Sequence, residues 1–141
     1  DRPPKLIARF QEALEQVGPA SEVFIGGKSM GGRIASMIAD EVGAAGVVCL
    51  GYPFHPSGKP DRLRTEHLAS LRTPTLIVQG TRDRLGTMEE VGGYDLSSAI
   101  KLAWMEDGDH SFKPRKKSGR TNDQNLAAAA EAVVAFIQGR G

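Results

Sequence analysis

Ser29 stands in the stretch Gly26-Gly27-Lys28-Ser29-Met30-Gly31-Gly32, directly behind the apolar residues Val23, Phe24 and Ile25. A serine and a lysine among glycines can belong to a phosphate cradle or to a serine held out for attack. A phosphate-wrapping loop needs a glycine five positions before its Gly-Lys-Ser. That position is Glu22, and a strand-like run fills the gap, so the cradle is rejected. Gly27-Lys28-Ser29-Met30-Gly31 instead matches Gly-x-Ser-x-Gly, a tight strand-to-helix turn with a serine at its tip. The flanking glycines are expected to let strand and helix approach closely around a strained serine. With 17 glycines in 141 residues, such a match arises easily by chance. Its context must decide.

Serine becomes a nucleophile when a base takes its proton, and that base needs a partner to fix its tautomer. Asp83, in Gly80-Thr81-Arg82-Asp83, and His110, in Asp107-Gly108-Asp109-His110, each follow an apolar segment. Blander readings stand beside these roles. His110 alone could be a solvated loop histidine. Asp83 could form a surface ion pair with Arg82 or Arg84. Asp107 and Asp109 are alternative acids, but lie too near His110 in sequence to reach its ring from another strand.

The elements that must position these residues can be read from periodicity. Leu6, Ile7, Phe10, Leu14 and Val17 recur at helical spacing. A strand over 22–26 leads into Ser29, and Met30, Ile34, Met37 and Ile38 mark one face of the helix that follows, ending near Gly43. Residues 45–51 are a short continuous apolar run, the mark of a strand buried on both faces, and 73–80 read as another buried strand. The polar stretch between them holds a short helix around 65–71, and 87–96 holds a short helix at most. Residues 99–106 alternate as an edge strand would. Leu126, Ala130, Val133, Val134 and Ile137 predict a last amphipathic helix, opened by a capping box of Thr121 and Gln124. Strands alternating with helices imply a single α/β domain over 1–141. It is expected to be a three-layer sandwich with about four mostly parallel strands and helices on both faces. Such sheets carry their sites at the carboxyl ends of the strands, where Ser29, Asp83 and His110 all fall.

Composition narrows the function classes. Hydrophobic residues at 40% and charged residues at 25% suit a globular domain, and a net charge of +1 argues against a nucleic-acid partner. The basic run 113–120, with Lys113, Arg115, Lys116, Lys117 and Arg120, is read as a solvated loop or as a bias toward anionic substrates. No apolar run reaches membrane-spanning length and no signal peptide is visible, so the expectation is a cytoplasmic protein without a membrane partner. The single Cys49 reads as a small buried hydrophobe. The chain opens on Asp1 without methionine, and its true start is expected to lie elsewhere. Phe54 and His55 follow a strand end and are placed to contact substrate, with a proline-stiffened connecting loop as the alternative. Lys28 reads as a solvated side chain and His67 as structural.

Ser29, Asp83 and His110 also follow the chain order of the alpha/beta-hydrolases. Through "GGKSMGGRIAS", "PTLIVQGTRD" and "EDGDHSFKPRK" the chain resembles small bacterial alpha/beta-hydrolases related to dienelactone hydrolase, a group of predicted esterases. The resemblance covers essentially all 141 residues. It implies Ser29 as nucleophile, His110 as general base and then acid, Asp83 as the residue orienting the imidazole, and the Met30 N–H in the oxyanion hole, with no metal or cofactor. It implies small ester or acyl substrates, with a non-catalytic interaction module on the same scaffold as the alternative. Members of that group carry four strands ahead of the one entering the elbow, whereas only a helix precedes it here. The chain is therefore expected to be the carboxyl-terminal portion of a longer hydrolase. Its free sheet edge is expected to pair with an N-terminal segment or a second copy.

Overall fold

The computed structural model describes residues 3–139. Asp1 and Arg2 lie outside that range, as do the side chains of Leu6, Phe10 and Leu14 from the predicted first stripe. Helix α1 (Pro3–Glu15) is followed by strand β1 (Phe24–Lys28), helix α2 (Met30–Val42) and strand β2 (Gly46–Leu50). Then come strand β3 (Thr75–Gly80), the single turn α3 (Met88–Val91), strand β4 (Ile100–Met105) and helix α4 (Asn122–Ile137). A 3₁₀ turn at Glu66–Ala69 takes the place of the short helix expected at 65–71.

The strands form one all-parallel sheet in the order β1-β2-β3-β4, as the α/β expectation requires. Lys28 pairs with Leu50, Leu50 with Val78, and Gly80 with Met105, so the carboxyl ends of the strands run level along one rim. Alternate residues of β3 divide the core. Ile77 packs in the cluster that holds Ile38 and Ala39 of α2, while Leu76 and Val78 pack with Ala129 of α4. Since successive strand residues face opposite ways, α2 and α4 cover opposite faces of the sheet. β2 and β3 are its buried interior; Val47, Cys49, Ile77 and Val78 have no exposed surface. No helix among the described residues is long and apolar enough to cross a membrane.

Three expectations shift. β1 begins two residues later than read, because Ala20–Glu22 form a 3₁₀ turn, and it runs on through Gly26 and Gly27 to Lys28. In α2, Ile34 and Ile38 are buried as expected, each contributing about 1.5–3 kcal/mol. Met30 and Met37 are each 37% exposed; Gly32, Ala35, Ser36 and Ala39 complete the buried face instead. In α4 the capping box forms as read. However, Leu126, Ala130, Val134 and Ile137 face outward, and Asn125, Ala129, Ala132, Val133 and Phe136 turn toward the sheet. The helix is rich in alanine, so hydropathy alone does not separate two faces that lie one residue apart.

Candidate active site

Ser29 joins β1 to α2 with φ 53° and ψ −116°, a conformation that costs a non-glycine residue about 1–3 kcal/mol. The surroundings hold it there. Its N–H donates to Leu50 O at 2.8 Å, extending the β1–β2 ladder past the strand end, and its carbonyl accepts from Arg33 N. The hydroxyl makes no capping bond to the helix. It faces His110 instead, with Oγ 3.0 Å from Nε2.

The glycines of the elbow are not equivalent. A Cβ on Gly27 would come within 3.0 Å of the Gly31 backbone, and one on Gly32 would press on Gly27 O and Cys49. A Cβ on Gly31 would meet open space. The close approach of strand and helix therefore needs Gly27 and Gly32, not the Gly31 that completes the sequence pattern.

Asp83 lies three residues beyond β3 and is fully buried, so the surface ion-pair reading does not hold. Its Oδ1 accepts from Leu85 N at 2.8 Å, and its Oδ2 stands 2.7 Å from His110 Nδ1. A carboxylate only accepts, so Nδ1 carries the imidazole proton and the lone pair of Nε2 points at the serine hydroxyl. His110 itself is set by a tightly bonded turn after β4. Asp109 Oδ1 accepts from the N–H groups of Ser111 and Lys113, Asp107 N donates to Thr81 Oγ1, and Arg82 N donates to Gly108 O. Asp109 is thus engaged with its own loop. Asp107 is paired with Arg82 and Arg115, and the Arg115 guanidinium holds its carboxyl well below the usual range. Neither competes for the ring.

Sequence reasoning missed Gly51, which follows β2. Its φ is 71°, and a Cβ there would lie 2.9 Å from His110 O and 3.2 Å from the ring. The imidazole rests on this residue, so all four strands deliver something to one spot. In the sequence Gly51 stood only as the last residue of the run 45–51, with no sign of this contact.

Phe54 and His55 require a correction. Phe54 is fully buried between Tyr52 and Tyr94, with ring centroids at 4.7 and 5.5 Å, and offers no surface to a substrate. His55, 2% exposed, bonds through Nδ1 to Pro56 O at 2.8 Å and through Nε2 to Glu90 at 3.0 Å. Burial works against its charge, but these two acceptors outweigh it and raise its pKa above the ordinary value. Glu90 is lowered by the Thr87 N–H in the α3 capping box and then by His55. Together they clamp the loop after β2 to the loop after β3. Apolar and proline content around 52–56 reflects this packing, not a binding wall.

A cavity of about 420 Å³ opens beside His110, lined by Ser57, Arg82, Arg84, Leu85 and Asp109. Of its two arginines Arg82 is paired with Asp107, and the Asp109 carboxylate shares the lining. The basic run does not line it; Arg115 is held by Asp107, Arg120 by Asn125, and Lys113, Lys116 and Lys117 are exposed. Lys28 is exposed as expected, and Cys49 is fully buried with its thiol pushed up to about 12 by desolvation. Among the described residues no group of three or more His, Cys, Asp or Glu side chains is arranged to hold a metal ion.

A level parallel sheet, a strained serine at a strand-to-helix turn and an imidazole between that serine and a buried carboxylate define an alpha/beta-hydrolase scaffold. The chain belongs to that family: the model of the alpha/beta hydrolase domain matches residues 1–138. Among solved structures it is similar to an alpha-beta serine hydrolase homologue from Coxiella burnetii (22% identity, TM-score 0.57, covering 90% of this chain and 55% of the other). It is similar also to a monoacylglycerol lipase from Paleococcus ferrophilus (11%, TM-score 0.72, covering 98% and 76%). A third is the esterase domain of a Rhodothermus marinus protein (15%, TM-score 0.56, covering 91% and 64%). At these identities the likeness is one of fold. The chain spans little more than half the length of the Coxiella protein.

Proposed function

We propose that this chain, alone or as part of a longer protein, is a cytoplasmic serine hydrolase acting on carboxylic esters or related small acyl compounds. The observation that carries the reading is the imidazole of His110, bonded at 3.0 Å to Ser29 on one nitrogen and at 2.7 Å to Asp83 on the other. In this reading Ser29 Oγ attacks the carbonyl carbon as Nε2 takes its proton. Asp83 stabilises the imidazolium that results. The negative oxygen is met by the N–H of Met30, in the first turn of α2, where unpaired donors and the helix dipole favour negative charge. His110 then returns the proton to the departing alcohol, leaving an acyl group on Ser29. Water, deprotonated by the same nitrogen, releases the acid and restores the hydroxyl.

The three segments that resemble the esterases related to dienelactone hydrolase support the same assignment, and the Arg82–Arg84 cavity, which borders His110 but not Ser29, is the proposed seat of a part of the substrate away from the reacting carbonyl. A fluorophosphonate probe is expected to label the chain at Ser29 and to leave Ser29→Ala unlabelled. Equal labelling of both would refute the nucleophile.

One observation favours a second reading, a non-catalytic interaction module on this scaffold. The outward apolar residues of α4 and the β1 side of the sheet, which pairs only with β2 among the described residues, present a surface suited to a partner. Turnover of p-nitrophenyl acetate that disappears in Ser29→Ala would exclude it.

A further inference from the structure

A second cavity, of about 510 Å³, lies between α2 and residues 63–70, and none of Ser29, Asp83 and His110 lines it. Two guanidinium groups, Arg33 and Arg64, do. Arg33 Nε is buried with no hydrogen-bond partner among the described residues. Its other recorded contact is a weak one, from Nη1 to the Met30 thioether at 3.8 Å. Among the described residues neither arginine has a carboxylate within ion-pair distance. That Nε is too buried to meet a ligand itself, but it leaves the Arg33 charge uncompensated beside the cavity.

The two arginines are also tied to each other from below. Ser36 Oγ donates to Arg33 O at 2.6 Å, and the Tyr52 hydroxyl donates to Arg64 O at 3.1 Å. Both hydroxyls therefore turn lone pairs toward His67 Nε2, at 2.9 and 3.3 Å. That nitrogen must carry the proton and bridge them. Burial, together with the charge of Arg33, holds the His67 pKa below its ordinary value, so the bridge favours a neutral ring. The backbones of Arg33 and Arg64 are thus fixed relative to one another before anything binds, which lowers the entropic cost of binding.

Met37 and Leu63, exposed by 37% and 47%, add an apolar wall to the same cavity. Glu66 also lines it and opposes an anion, but two positive charges outweigh one negative. We infer that this cavity binds a small organic oxyanion. Its phosphate or carboxylate group is held by Arg33 and Arg64, and its apolar body lies against Met37 and Leu63. The fork of a guanidinium matches either group, and the volume suits a small ligand.

Isothermal titration calorimetry with phenyl phosphate, benzoate and inorganic phosphate tests the inference, with circular dichroism checking that each variant is folded. One aromatic anion is expected to bind per chain, more tightly than inorganic phosphate. Arg33→Met and Arg64→Met are each expected to weaken it roughly tenfold or more, and Ser29→Ala to leave it unchanged. Phenyl phosphate binding more tightly than benzoate would assign a phosphate ligand, and the reverse order a carboxylate. No binding of either aromatic anion up to about 10 mM, or unchanged affinity in folded Arg64→Met, would overturn the site. Equal affinity for phenyl phosphate and inorganic phosphate would overturn the apolar wall, and loss of binding in folded Arg84→Met would move the anion to the cavity beside His110.

Discussion

Asp83 makes two hydrogen bonds from complete burial, one to the Leu85 N–H and one to His110. Replacing it with asparagine keeps the shape and changes only what the group can do. An amide can donate toward Nδ1, which favours the tautomer whose Nε2 proton points at the serine and cannot accept from it. Turnover of p-nitrophenyl acetate by Asp83→Asn is therefore expected to fall by on the order of 10⁴-fold with the fold intact. Activity within tenfold of the parent would leave the carboxylate without its proposed part. The three side chains that meet at the rim were legible in the sequence because each is a chemically distinctive residue just beyond an apolar strand. Phe54 and His55 share that placement yet face inward. Placement past a strand end does not say which way a side chain turns.

Among the elements, β3 does the most to organise the rim, and it does so through a polar residue. Gln79 has no exposed surface; its Oε1 accepts from Tyr52 N at 2.7 Å and its Nε2 donates to Tyr52 O and Gly86 O, each at 3.1 Å. One amide thereby joins the loops that follow β2 and β3. Gln79→Leu fills the same space but strands those backbone groups, each at a cost of about 1–3 kcal/mol when buried. A loss of about 3 kcal/mol or more in urea unfolding is expected; a change below about 1 kcal/mol would show that water or rearranged loops replace the amide. Hydropathy located β2, β3 and the helices α2 and α4, since their buried residues are mostly apolar. It gave no sign of Gln79 or Asn125, whose burial depends on partners far away in sequence. It also put the α4 stripe on the wrong face, where alanines made the two sides look alike.

Across the whole molecule, the apolar surface left outside is as informative as the core. Phe24 on β1 and Leu126, Val134 and Ile137 on α4 are 37–47% exposed, and a groove of about 210 Å³ along β1 and α4 is lined by Ile25, Val48 and Leu50 as well as Phe24 and Ile137. Strand edges and apolar patches of this kind recruit other chains. Light scattering is expected to show mass rising with concentration, and Ile137→Lys, at an exposed position, to suppress the rise without loss of stability. A strictly monomeric parent at high concentration would count against this. Ser29 hangs from one outermost strand and His110 from the other, with the partner carboxylate between them. Margins of a sheet loosen before its middle, so warming should separate Ser29, Asp83 and His110 while most of the polypeptide is still folded. The proposed esterase activity would then vanish several degrees below the calorimetric melting point, and superimposable curves would mean that the margins are as firm as the centre.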